Sequence, residues 1–184
     1  MPDMQDLVRA RTRGLIAILA AAVLLVGGWP LLNAALGDET EPLRNGARLT
    51  LGDAARFTVG PGWTLRTAES DPDSSYLLER GTVRLRLSLV TPPRDATPAQ
   101  LWEGLGRVAE ASGEHVELGE PVPFGRRGLR GPVAEGRAVG TATVQRAPDG
   151  GGAAETTALG EPGTAADHRA ADNVAASLRW LEGS

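Results

Sequence analysis

SYLLERGTVRLRLSLV, residues 75–90, decides the fold. In residues 82–90, Val83, Leu85, Leu87 and Leu89 alternate with Arg84, Arg86 and Ser88. A period of two over this length predicts a strand with one buried and one wet face. Residues 75–79 precede it across Arg80-Gly81, a short polar break, so the two segments pair as a hairpin. Thr91-Pro92-Pro93 ends the second strand, because proline has no N–H to give to a ladder.

C-terminal to the hairpin, Thr97 is a suitable N-cap, Pro98 suits the first helical position and Gln100 completes a capping box. Leu101, Trp102, Leu105, Val108 and Ala109 follow at helical spacing and predict one apolar stripe. Gly113 is placed to end that helix. Further strands are expected over 129–134, 137–146 and 153–159, with turns at Glu135-Gly136 and at 149–152. A second helix is expected from about Ala165 to Trp180. Thr164 is its predicted cap, and Ala171, Val174, Leu178 and Leu181 lie along one face. N-terminal to the hairpin, two short extended pieces cover 47–51 and 56–59. Gly60-Pro61-Gly62 forces a turn before a further extended piece at 63–67, and residues 70–74 form a loop. Strands, helix, strand meander and helix predict an α+β domain: an antiparallel sheet packed with two helices.

The run Phe57-x-Val59-x-Pro61-x-Trp63, then the hairpin, helix, meander and a terminal helix ending Ser177-Leu178-Arg179-Trp180, resembles the PsbP-like α/β/α sandwich. It is similar to small exported proteins of that kind in high-GC Gram-positive bacteria. The resemblance covers about residues 50–181 and implies a fold and an adaptor or accessory role, with no catalytic residues to transfer. Many such exported proteins carry a lipid-attachment cysteine; this sequence has no cysteine at all.

Ahead of the domain, residues 14–37, GLIAILAAAVLLVGGWPLLNAALG, form a 24-residue run without a charge. As a helix it spans about 36 Å at 1.5 Å per residue, enough for a hydrocarbon core of about 30 Å. Arg9, Arg11 and Arg13 precede it; Asp38, Glu39 and Glu41 follow it. Arginine holds its end of a span on the cytoplasmic side. The expected layout is therefore a cytoplasmic tail (1–13), a single N-terminal transmembrane helix (14–37), a tether (38–47) and an extracytoplasmic domain (48–184). A cleaved signal peptide is the rival reading, with Asn33-Ala34-Ala35 near a possible cut. Its usual apolar core of about 7–15 residues is shorter than this run.

Residues 38–184 hold 16 basic and 21 acidic side chains, a net charge of −5, and every basic residue except histidine is arginine. A net acidic surface with no basic stripe argues against a nucleic-acid partner. The absence of cysteine excludes disulfides, so the domain relies on its hydrophobic core.

Few residues point to chemistry. His168 and Asp172 are four apart on the second predicted helix, half of a metal site with no further ligand in view, so an exposed helix pair is the expectation. His115 is expected in a loop or at a strand edge. Asp71, Asp73 and Ser75 resemble the start of a calcium loop, but Tyr76 stands where its glycine belongs and Thr82 where its closing glutamate does, so a turn is expected. No nucleophile elbow, metalloprotease helix or phosphate loop occurs, and no enzyme activity, cofactor or metal is expected. Arg126, Arg127 and Arg130 cluster among glycines as a candidate site for an acidic group. Trp63 and Trp102 are candidates to line a groove, with core packing as the alternative. The expectation is a non-enzymatic binding or accessory module for an envelope protein, held in the lipid bilayer through residues 14–37. The alternative is a carrier or sensor of a small apolar or cell-wall ligand.

Overall fold

The computed structural model describes residues 40–111 and 115–181. The expected anchor and the helix stop at Gly113 lie outside them. Among the described residues no helix is long and apolar enough to cross a membrane.

The chain runs β1 (Thr40–Pro42), β2 (Arg48–Leu51), β3 (Ala55–Thr58), β4 (Thr64–Arg66), a 3-10 turn (Thr67–Glu69), β5 (Ser75–Arg80) and β6 (Val83–Val90). There follow α1 (Pro98–Ala111), β7 (Val116–Leu118), β8 (Val122–Phe124), β9 (Gly128–Glu135), β10 (Ala138–Arg146), β11 (Ala153–Gly160), α2 (Ala165–Ser177) and β12 (Arg179–Trp180). Nine strands form one antiparallel sheet in the order β1-β4-β5-β6-β11-β10-β9-β7, with β8 also paired to β9; β12, β3 and β2 form a second, three-stranded sheet. The fold is α+β, an antiparallel sheet with two helices.

The hairpin pairs Arg80 with Val83 and Ser75 with Ser88. Its turn is Gly81-Thr82, and Gly81 takes a φ of 58°, where a side chain is strained. A Cβ there would also lie 2.5 Å from Oδ2 of Asp167 on α2, so the turn packs directly on that helix.

Alternation along the strands separates two cores on opposite faces of the large sheet. Val83, Leu85 and Leu87 of β6 join Ala154 and Ala158 of β11, the aromatic pair Phe57–Tyr76, Trp63 and the inner face of α2. Ala142 and Val144 of β10 join Val133, Ala153 and the inner face of α1. Thr143 and Thr156, opposite each other on β10 and β11, share a buried hydroxyl hydrogen bond. The Tyr76 hydroxyl donates to the Thr50 carbonyl at 2.9 Å, which fixes the small sheet against the large one. Burial, and then the carboxylates of Asp73 and Asp71, raise its phenol above the ordinary value.

Helix α1 starts as its sequence specifies. The Thr97 N–H donates to Gln100 Oε1 at 2.8 Å, and the Gln100 N–H donates to Thr97 Oγ1 at 3.3 Å. Arg146 of β10 holds the loop before it by donating to the carbonyls of Ala96 and Arg94.

Several expectations are corrected. The pairing begins at Thr40, inside the stretch read as a tether: β1 pairs with β4, and the Leu43 N–H donates to the Trp63 carbonyl at 2.9 Å. Helix α2 stops at Ser177 rather than Trp180, because Arg179 and Trp180 pair with Arg56 and Ala55 of β3. Ser177 joins the two elements: its Oγ accepts from the Thr58 N–H at 2.9 Å. Thr164 does not cap α2 through its side chain; its hydroxyl donates to the Glu161 carbonyl at 2.8 Å. Val108, expected inside the α1 stripe, is 63% exposed. The short strands β7 and β8 were not expected at all.

Candidate functional site

Because β6 alternates, the residues opposite its core side chains face the α1 layer: Arg84, Arg86 and Ser88. On neighbouring β11, Glu155, Thr157 and Leu159 share that face, with Glu155 opposite Ser88 and Thr157 opposite Arg86. Helix α1 rests chiefly on β10, β7 and β9, so it leaves this half of the sheet open. The result is a groove of about 450 Å³ floored by β6 and β11. Leu105, Val108 and Ala109 of α1, with Val116 and Leu118 of β7, form an apolar wall; Leu77 and Glu69 stand on the other side.

Charge in the groove is only partly balanced. Arg84 Nε lies 3.4 Å from Glu79 Oε1, and Arg66 Nη2 lies 3.0 Å from Glu69 Oε1. Among the described residues the side chains of Arg86, Glu135 and Glu155 make no ion pair. Arg86 and Glu135 are exposed, so water serves them. Glu155 is half-buried, and burial raises its carboxyl above the ordinary value. Partial desolvation of a carboxylate that has no partner among the described residues carries a cost.

The residues singled out from sequence do not converge. Trp102 is core: its ring lies over Gly131, where a Cβ would stand 2.9 Å from the indole. Trp63 is 1% exposed and also core; it backs a hollow of about 350 Å³ between the Gly60-Pro61 turn and α2, and its buried Nε1 has no hydrogen-bond partner among the described residues. Arg126 and Arg127 are exposed in the β8–β9 turn, whereas Arg130 points to α2. Its Nη2 lies 2.6 Å from Asp172 Oδ2, and its guanidinium sits 6.0 Å from the Phe124 ring centre.

That ion pair occupies Asp172, so the helical His168–Asp172 spacing is no half-site for a metal. His168 Nε2 is buried with no hydrogen-bond partner among the described residues. His115 is exposed just before β7. Among the described residues no three His, Asp or Glu side chains are grouped to hold a metal ion. Asp71 forms a turn, accepting from the Asp73 N–H at 3.1 Å and the Ser74 hydroxyl at 2.8 Å. A further hollow of about 510 Å³ lies among Leu89, Val90, Pro148, Trp180 and Leu181.

The groove residues Arg86, Ser88, Glu155 and Thr157 escaped sequence reasoning. The available signal was the polar half of the β6 alternation, which reads as a solvated face until its neighbour strand is known.

The architecture is therefore that of an α+β sandwich with one open groove beside its first helix. It is similar in fold to the crystal structure of the Ran-binding protein Mog1p of Saccharomyces cerevisiae, with a TM-score of 0.55 and 12% identity over 74% of this chain and 96% of that one. A mutant of protein Mog1 matches over the same shares, with a TM-score of 0.53 and 11% identity. No protein-family model matches the chain, and no curated protein matches it in sequence. At these identities the likeness is one of fold alone.

Proposed function

We propose that this protein is a single-pass, membrane-anchored extracytoplasmic binding module that takes a segment of an envelope protein in the α1 groove. The carrying observation is the groove itself: an apolar wall ending in exposed Val108, facing a strand floor with a half-buried carboxylate that has no partner among the described residues. Such a surface suits a chain of mixed apolar and polar character better than bulk water. Location rests on residues 14–37 and their flanking charges. The resemblance to PsbP-like sandwiches supports an accessory rather than a catalytic role. Mog1p, as a Ran-binding protein, is an instance of a similar fold in a protein that binds another protein; its partner is not carried over.

A photo-crosslinking amino acid at Val108, in the full chain in intact cells, tests the reading. A discrete adduct with one envelope protein is expected, weakened when Leu105→Asp is added and absent with the probe at Arg44, an exposed residue that does not line the groove. Equal adducts from both positions, or none from Val108, would remove the docking role. The apolar hollow beside Trp180 would then be the place to look for a small-ligand carrier.

A further inference from the structure

We infer that the segment seated in the α1 groove presents a basic side chain between apolar ones, and that Glu155 is the counter-charge that receives it. This rests on reading the groove as a protein-docking site. Five ionisable side chains line it. Glu69 and Arg84 are already in ion pairs, with Arg66 and Glu79. Two carboxylates, Glu135 and Glu155, remain against one guanidinium, Arg86. The unbalanced charge is thus negative, in a domain that is itself net acidic.

Of the two carboxylates, Glu155 is the one whose position demands a partner. Glu135 is exposed, and solvent screens it. Glu155 sits in the floor, half-buried between Ser88 across the ladder and Thr157 two residues on, and its carboxylate makes no hydrogen bond or ion pair among the described residues. Arg86 is its diagonal neighbour on the antiparallel ladder, at a separation of about 7–8 Å between backbones, yet it stands exposed, with no ion pair among the described residues. An ammonium or guanidinium arriving from outside supplies charge-assisted hydrogen bonds at the groove floor, which is screened less than the rim. The apolar flanks follow from the wall: Leu105, Val108 and Leu118 lose their exposure only against apolar side chains. The opposed chemistry, an acidic group on Arg86, would bring a second negative charge beside half-buried Glu155 and is disfavoured.

The test uses the full chain in lipid nanodiscs, methyl-labelled at Leu and Val, titrated with three short peptides of sequence Ser-Leu-X-Val-Ser in which X is lysine, norleucine or glutamate. The lysine peptide is expected to move the Leu105, Val108 and Leu118 methyl signals and to bind about tenfold tighter than the other two, a difference of about 1.4 kcal/mol. Glu155→Gln is expected to bring lysine and norleucine within about twofold of each other, the remaining difference being that of an exposed charge. Overturning results are a glutamate peptide that binds best, a lysine preference that survives Glu155→Gln, or no methyl shift with any peptide at about 5 mM, beyond the weak end of specific binding. If the Val108 crosslink persists while these fail, docking stands and only the basic-segment assignment falls.

Discussion

At Glu155 stability and recognition pull in opposite directions. Its folded carboxyl is raised above the ordinary value of 4.5 by burial. The native state therefore holds its proton more tightly than the unfolded chain does, and the charged form weakens folding. The sign follows from linkage: this group costs nothing below 4.5, and stability falls as pH rises through the folded value. Glu155→Gln should accordingly raise the melting temperature at neutral pH, with the gain vanishing on acidification below 4.5. Thermal unfolding followed by circular dichroism at matched pH checks this; a glutamine variant that melts lower at neutral pH would show a hidden partner for the carboxylate. A side chain that weakens folding while lining a groove fits the receiving role proposed for it. Arg130 illustrates why single residues were hard to read. In sequence it clusters with Arg126 and Arg127, but strand alternation turns it toward Asp172, and nothing within the local stretch announces that pairing.

Elements whose signals are local were legible. Helix α1 begins where Thr97, Pro98 and Gln100 place it, and the capping box is formed in both directions. Thr97→Ala should cost about 1 kcal/mol, read as a lowered denaturant midpoint with an unchanged m-value. An unchanged midpoint would mean that the Arg146 clamp on the preceding loop suffices. The β5–β6 hairpin was equally legible, because its alternation and its Gly81 turn sit within one short stretch. Elements defined by distant partners were not. Arg179 and Trp180 continue a helical pattern in sequence, yet they leave the helix to pair with β3, more than a hundred residues earlier in the chain. Strands β7 and β8 have three residues each, too few to show a period. Val108 fits the apolar stripe of α1 by spacing, but the helix is offset toward β9 and β10, and Val108 is left exposed.

For the whole molecule, one sheet carries two separate cores. The α2 side is closed by the three-stranded layer, and the α1 side is left partly open. That asymmetry, which composition could not reveal, is what creates the groove. The α+β class and the order of its main strands and helices followed from sequence; the sheet order did not, since β6 lies beside β11 rather than beside the strand that follows it. At this scale the proposed location has a direct test. Protease added to intact protoplasts should degrade the 38–184 domain and leave a short anchor-bearing fragment. Survival of the whole chain would place the domain on the other side of the membrane.

The rims of the large sheet have a consequence for crowding. Copies of a protein confined to one surface collide in two dimensions, where any exposed ladder of unpaired amides invites one chain to zip onto the next. Here the rim strands β1, β7 and β8 have three residues each, with Pro42 ending β1 and Pro123 at the centre of β8. Missing N–H groups and short rims deny a neighbour a template. Among the described strands these rims disfavour strand-to-strand zipping, which matters most if the proposed anchor holds many copies on one membrane face.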